Sequence, residues 1–143
     1  TGIAGWVNTD PLTLKQLRGQ VVVLHFWSLS DRNCAAGYPV YRDWLARYGS
    51  LSFQVVGVHT PEFSQDAEAE AVTAQAKLNE LAFPIALDNE AKTWTAWANP
   101  GWPTVYLIDR QGLVRYWWYG PLKFADADGE AFLRARIEEL LAR

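Results

Sequence analysis

Gln20-Val21-Val22-Val23-Leu24-His25-Phe26-Trp27-Ser28-Leu29-Ser30-Asp31-Arg32-Asn33-Cys34, with Pro39 five residues further on, carries most of the information in this chain. The run Val21 to Leu24 is rich in β-branched residues and does not alternate with polar ones, as expected of a central strand covered on both faces. The strand is read over Gln20 to Trp27. Ser28 to Asn33 then offers several capping residues in succession, and Tyr38, Tyr41, Leu45 and Tyr48 recur at helical spacing. The expectation is one long helix ending near Tyr48 and kinked by Pro39, which removes an amide donor and crowds the preceding turn.

On either side of this stretch, short clusters of loop-forming residues separate periodic segments. Pro11 to Leu17 reads as a short helix or turn ending at Gly19. Leu51 to His59 is a second buried strand, Gln65 to Leu81 a helix, Pro84 to Leu87 a short strand and Ala91 to Ala98 a short helix. Pro103 to Asp109 and Leu113 to Tyr119 are strands joined by Arg110-Gln111-Gly112, a hairpin signal. A closing helix runs from about Ala127 to Leu141. Strands alternating with helices and ending in a hairpin and a helix predict an α/β fold, a mixed sheet flanked by helices on both faces.

The 143 residues, 50% hydrophobic and 20% charged, suit one domain over 1–143 with a single core. One cysteine excludes an intramolecular disulfide and a Cys-rich zinc site. Two histidines with scattered carboxylates form no metal-binding motif, so neither a metal nor another cofactor is expected. Thirteen Lys and Arg against sixteen Asp and Glu give a net charge of −3, which favours neither nucleic acid nor anionic membranes. The longest apolar run falls far short of the roughly 20 residues of a membrane helix. The chain opens on Thr1-Gly2 without a signal pattern, as an excised domain or mature fragment would.

The strand ending in Phe26-Trp27, the position four residues beyond Trp27, Cys34 three residues later and then Pro39 resemble the active-site strand and helix of the thioredoxin superfamily. Gly101-Trp102-Pro103-Thr104 resembles that family's cis-proline loop. Trp6-Val7-Asn8-Thr9-Asp10, Gly57-Val58-His59-Thr60-Pro61-Glu62-Phe63, Leu87-Asp88-Asn89 and Tyr106-Leu107-Ile108-Asp109-Arg110-Gln111-Gly112 are similar to the TlpA/DipZ-type branch, including domains fused to NHL repeats. The resemblance spans nearly the whole chain. It implies a thioredoxin-like fold, a peptide groove beside Pro103, and a protein or peptide partner or a fused domain. It leans toward an extracytoplasmic or membrane-tethered location, although the compartment itself is not read from the chain.

The departure is chemical. In the family the first cysteine of Cys-x-x-Cys attacks and the second resolves the mixed disulfide; here Asp31 occupies the first position and Cys34 remains. Without two thiols the ordinary exchange cycle is expected to be lost, leaving a binding or docking module. The alternative is a single-cysteine redox enzyme, a one-Cys peroxidase or a glutathione-linked oxidoreductase acting through Cys34. Cys34 has two readings, a thiolate favoured by a helix N-terminus or a buried remnant. Asp31 is a helix N-cap or a binding carboxylate. His25 stands where the family often has a buried Asp, as a possible base for Cys34 or a core histidine. Glu62 and His59 border the site or serve the turn. Trp102, Pro103 and Thr104 would line the groove. Trp27, Trp102, Trp117 and Trp118 are candidates for an exposed aromatic surface that grips a partner, each with core or edge-strand packing as the alternative reading.

Overall fold

In the computed structural model, which describes residues 2–124 and 126–143, six strands form one mixed sheet in the order β1-β4-β3-β2-β5-β6. They are β1 (Gly5–Val7), β2 (Val21–Trp27), β3 (Phe53–His59), β4 (Ile85–Leu87), β5 (Thr104–Ile108) and β6 (Val114–Tyr119). β2 lies at the centre, parallel to β3 and antiparallel to β5. Every residue of β2 is buried, because both faces of the strand are covered. Val21, Val23 and Trp27 pack into one core with residues of α2 (Tyr38–Tyr48), α3 (Ala69–Leu78) and α5 (Gly129–Leu141). Val22, Leu24 and Phe26 pack into a second core, closed by Trp94 of α4 (Lys92–Ala96), Trp97, Trp6 and Leu17 of a 3-10 turn over Leu14–Leu17. This is a thioredoxin-like arrangement of a mixed sheet with helices on both faces.

The segment after β2 differs from the expected kinked helix. It contains α1 (Arg32–Ala35), a break at Ala36 and Gly37, and then α2, with Pro39 in the first turn of the second piece. Pro39 has no N–H to offer the Ala35 carbonyl, and its ring would collide with that carbonyl in a continuous helix. The first turn of a new helix has no such partner to lose.

The expected helix over Gln65 to Leu81 also divides, into a 3-10 turn at Ser64–Ala67 and α3, with Glu68 extended between them. β1 was not anticipated, being too short to show a period; it pairs antiparallel with β4. The closing helix starts two residues later than expected, because Ala127 and Asp128 form β8, paired with β7 (Lys123–Phe124). Asp128 then caps α5 by accepting from the Ala131 amide. The hairpin loop is held by Asp109, whose Oδ1 accepts from the Gln111 and Leu113 amides, while Gly112 takes a positive φ of 88°.

Candidate functional site

The site lies where β2 and β3 end side by side. Trp27 and His59 are register partners on these parallel strands, so the loops that follow them meet. His59 is fully buried, and its Nε2 accepts the Leu29 amide at 3.0 Å. Burial lowers the His59 pKa to about 4, which keeps the imidazole neutral as that contact requires. Asp66, on the 3-10 turn, accepts from the Ser30 hydroxyl at 2.6 Å and the Ser28 hydroxyl at 3.3 Å. The Ser28 oxygen accepts the Glu62 amide in turn. Sequence reasoning missed this carboxylate, since nothing in Ser64-Gln65-Asp66-Ala67 reveals a partner more than thirty positions away.

At the top of α1, Oδ1 of Asp31 accepts from the Asn33 amide at 2.8 Å and the Cys34 amide at 3.1 Å. The carboxylate thus bonds the backbone of the one cysteine. Cys34 itself is 3% exposed and belongs to the core beneath the sheet. Burial pushes its thiol far above the ordinary range; the nearby Asp31 and Glu62 charges push the same way, against a smaller lowering contact from the Ser28 backbone. Tyr38 and Tyr41 lie close enough for the Cys34 charge to raise their pKa values beyond what burial does.

His25 forms no hydrogen-bonded pair with Cys34 among the described residues. Its ring stacks on Tyr41 with centroids 3.9 Å apart and meets the edge of Phe83, and neither ring nitrogen has a partner. Burial lowers its pKa to about 3. The structure thus holds it as a neutral aromatic element of the core, where it cannot readily take up a proton. Of its two readings, exposed binding ring or core packing, Trp27 takes the second. It is 1% exposed, wedged edge-on between Tyr38 and His59, because its place on the central strand points it into the main core.

On the other side of the site, the Trp102–Pro103 peptide is cis. Trp102 is half-buried; its Nε1 donates to the Thr60 carbonyl and its ring stacks on Trp94 at 4.1 Å. Thr104 is buried and donates to the Gly101 carbonyl. Thr60 also donates to Asp88, whose carboxylate caps α4 through the Thr93 and Trp94 amides. One network therefore links the loop after β3, the start of α4 and Trp102. The structure brings together Asp31, Cys34 and Glu62 on one side and Trp102, Pro103 and Thr104 on the other. Glu62 is exposed, and its carboxyl is raised by desolvation and then by the Asp31 and Asp66 charges.

Of the other candidates for an aromatic surface, Trp117 is exposed, while Trp118 is half-buried and donates to the Pro121 carbonyl. An apolar cavity of about 300 Å³ between Trp6, Leu14, Leu24 and Trp97 opens on the second core, on the opposite face of the sheet from Cys34. Among the described residues no group of three or more His, Cys, Asp and Glu side chains could hold a metal ion, and no helix is long and apolar enough to cross a membrane.

Residues 7–117 match the AhpC/TSA family. Protein DipZ of Mycobacterium bovis is 41% identical over 130 residues, covering 89% of this chain and 18% of DipZ. The thiol-disulfide oxidoreductase YkuV of Bacillus subtilis is 27% identical, with 99% of this chain and 91% of YkuV covered. A crystal structure of a thiol-disulfide isomerase from Corynebacterium glutamicum superposes with a TM-score of 0.84 at 25% identity, covering 99% of this chain and 93% of that one. The chain spans less than a fifth of DipZ, so it corresponds to one part of that longer protein. The strand order, the paired loops at the ends of β2 and β3 and these likenesses agree: the chain belongs to the AhpC/TSA family, among thioredoxin-like thiol-disulfide oxidoreductases of the TlpA/DipZ type.

Proposed function

We propose that this domain has lost dithiol exchange and acts as a protein- or peptide-docking module, its binding surface formed by the half-buried Trp102 and the exposed Glu62, with Pro103 and Thr104, expected to line the groove, buried beneath it. One observation carries the reading. Asp31 stands in the place of the attacking thiol and bonds the Cys34 amide, while Cys34 is buried with its thiol pushed well up. A carboxylate cannot attack a disulfide sulfur, and a buried thiol that stays protonated is a poor nucleophile. The partner would lie along the loop from Gly101 to Pro103, where Trp102 offers a half-buried ring and Glu62 a carboxylate. Low coverage of DipZ supports a fused domain in longer relatives as one source of such a partner.

The test is the rate of Cys34 alkylation in the folded protein across pH. The expected result is negligible labelling at neutral pH, rising to the free-thiol rate only in denaturant. Rapid labelling with an apparent pKa below the free value of about 8.5 would overturn the reading. Thiol-dependent peroxide consumption that disappears in Cys34→Ser would overturn it in favour of a single-cysteine peroxidase.

A further inference from the structure

The second core is not filled to its edge. Between β1, the 3-10 turn at Leu14–Leu17 and α4 it leaves the apolar cavity of about 300 Å³, on the face of the sheet away from Cys34. One small residue opens this space. Ala86 on β4 is the register partner of Trp6 on one side and of Val58 on the other, so a methyl group stands where its neighbours carry an indole and an isopropyl group. Cross-strand partners share a face of the sheet, and the floor is therefore lowest at Ala86.

The cavity is built rather than merely uncovered. Its floor residues Leu24, Val58 and Ala86 are at most 4% exposed, its walls Trp6 and Trp97 are half-buried, and Leu14 stands at the mouth. Trp6 is fixed by its pairing with β4, and the Trp97 ring packs on Tyr106 and Phe26 with centroids 4.7 and 6.0 Å away. Among the described residues no Asp, Glu, Lys or Arg lines the cavity, and its polar side chains are Thr13 and Thr93. Protein interiors leave few voids larger than a water molecule. A preformed, mostly apolar concavity with a few polar groups is the usual form of a small-molecule site, and this volume lies at the lower end of the range such sites take.

We propose that this cavity binds a small uncharged aromatic molecule of two fused rings, packed against Trp6 and Trp97. Size selects two rings, because a cavity of roughly 150 Å³ lined by aliphatic and aromatic side chains takes up benzene and this one has about twice that volume. The lining selects against charge: a carboxylate or ammonium would lose its water and meet no opposite charge. Aromatic walls favour rings over an alkyl chain, since ring pairs gain from offset or edge-to-face contact beyond the area they bury. Thr13 and Thr93 can bond one hydroxyl or ring N–H of the ligand. The site stands apart from the docking surface around Trp102 and does not depend on it.

The probe is 2-naphthol, titrated into the domain by calorimetry and followed by amide NMR shifts. The expected result is saturable one-to-one binding, with shifts centred on Trp6, Val58, Ala86 and Thr93 rather than on Asp31 and Cys34. Naphthoate, the same rings with a carboxylate, and octanol, an alkyl chain, should each bind about tenfold more weakly or worse. Ala86→Leu fills the floor and should weaken 2-naphthol by about tenfold or more, with the fold intact in urea unfolding. Leu14→Trp, at an exposed position of the mouth, should act in the same way without touching the core, and decides where Ala86→Leu does not fold. Failure to saturate, shifts centred elsewhere, or equal binding of naphthoate or octanol would overturn the proposal. So would binding that the folded Ala86→Leu domain retains in full, or that Leu14→Trp retains where Ala86→Leu is unfolded.

Discussion

Asp31 performs in this domain a role that the family's first cysteine would not: its carboxylate accepts two amides at the start of α1. Removing such a cap typically costs about 1 kcal/mol, so the residue has a structural use independent of any ligand. The positions remain three apart on one helical turn, within reach of a disulfide. Asp31→Cys is therefore expected to form a disulfide with Cys34 under mild oxidation, seen as the loss of two mass units and of both free thiols. Two free thiols persisting in the folded, oxidised variant would refute the alignment of this segment with Cys-x-x-Cys. That Asp31 and Cys34 occupy the two motif positions was legible in the sequence, because local spacing sets it. That Cys34 is buried was not, since the covering comes from Tyr38, Tyr41 and the sheet.

Pro39 distinguishes two descriptions of the segment after β2. In a continuous helix, replacing an interior proline by alanine would stabilise by about 3 kcal/mol. In the first turn of α2 there is no hydrogen bond to regain, and the variant loses only proline's restriction of the unfolded chain. Pro39→Ala is therefore expected to destabilise by about 0.5–1 kcal/mol in urea unfolding; a stabilisation of several kcal/mol would mean that α1 and α2 prefer to be one helix. The break itself was not legible beyond its proline. The same holds for the turn at Ser64–Ala67, where Asp66 is held by Ser28 and Ser30 across the site rather than by neighbours in its own segment. Helical propensity over 65–81 could not anticipate that competition.

Across the whole molecule, the two buried histidines make the fold sensitive to acid. Both pKa values are lowered by burial, to about 3 for His25 and about 4 for His59. The folded state therefore binds fewer protons than the unfolded chain below pH 6.5. The stability from keeping both rings neutral is fully present above pH 6.5 and is lost as pH falls through the folded values. At 1.36 kcal/mol per pKa unit, His59 accounts for about 3 and His25 for about 5 kcal/mol at the acid limit. Against a typical total of about 5–15 kcal/mol, that is a large share of the domain's stability. Urea unfolding at pH 7 and pH 5 is expected to show a loss of about 4 kcal/mol, roughly half of it absent in His25→Leu. Equal stability at both pH values would show that neither ring is held neutral. Gly57 explains why His25 tolerates its place: a Cβ there would come within about 3 Å of Phe83, the Trp27 Nε1 and the His25 Nε2.

Local signals in the chain suffice for β2, the Asp31-x-x-Cys34 spacing, the hairpin at Gly112 and the α/β order, because each rests on periodicity, capping or turn chemistry within a few residues. Only the tertiary structure decided which polar groups became the site's supports and which aromatic rings remained outside. Asp66, Ser28, Thr60 and Asp88 find partners 28 to 38 positions away. Trp27 and Trp117 differ in exposure because one lies on the central strand and the other on the edge. Strand order and long-range burial set these outcomes, and neither is contained in the spacing of neighbouring residues.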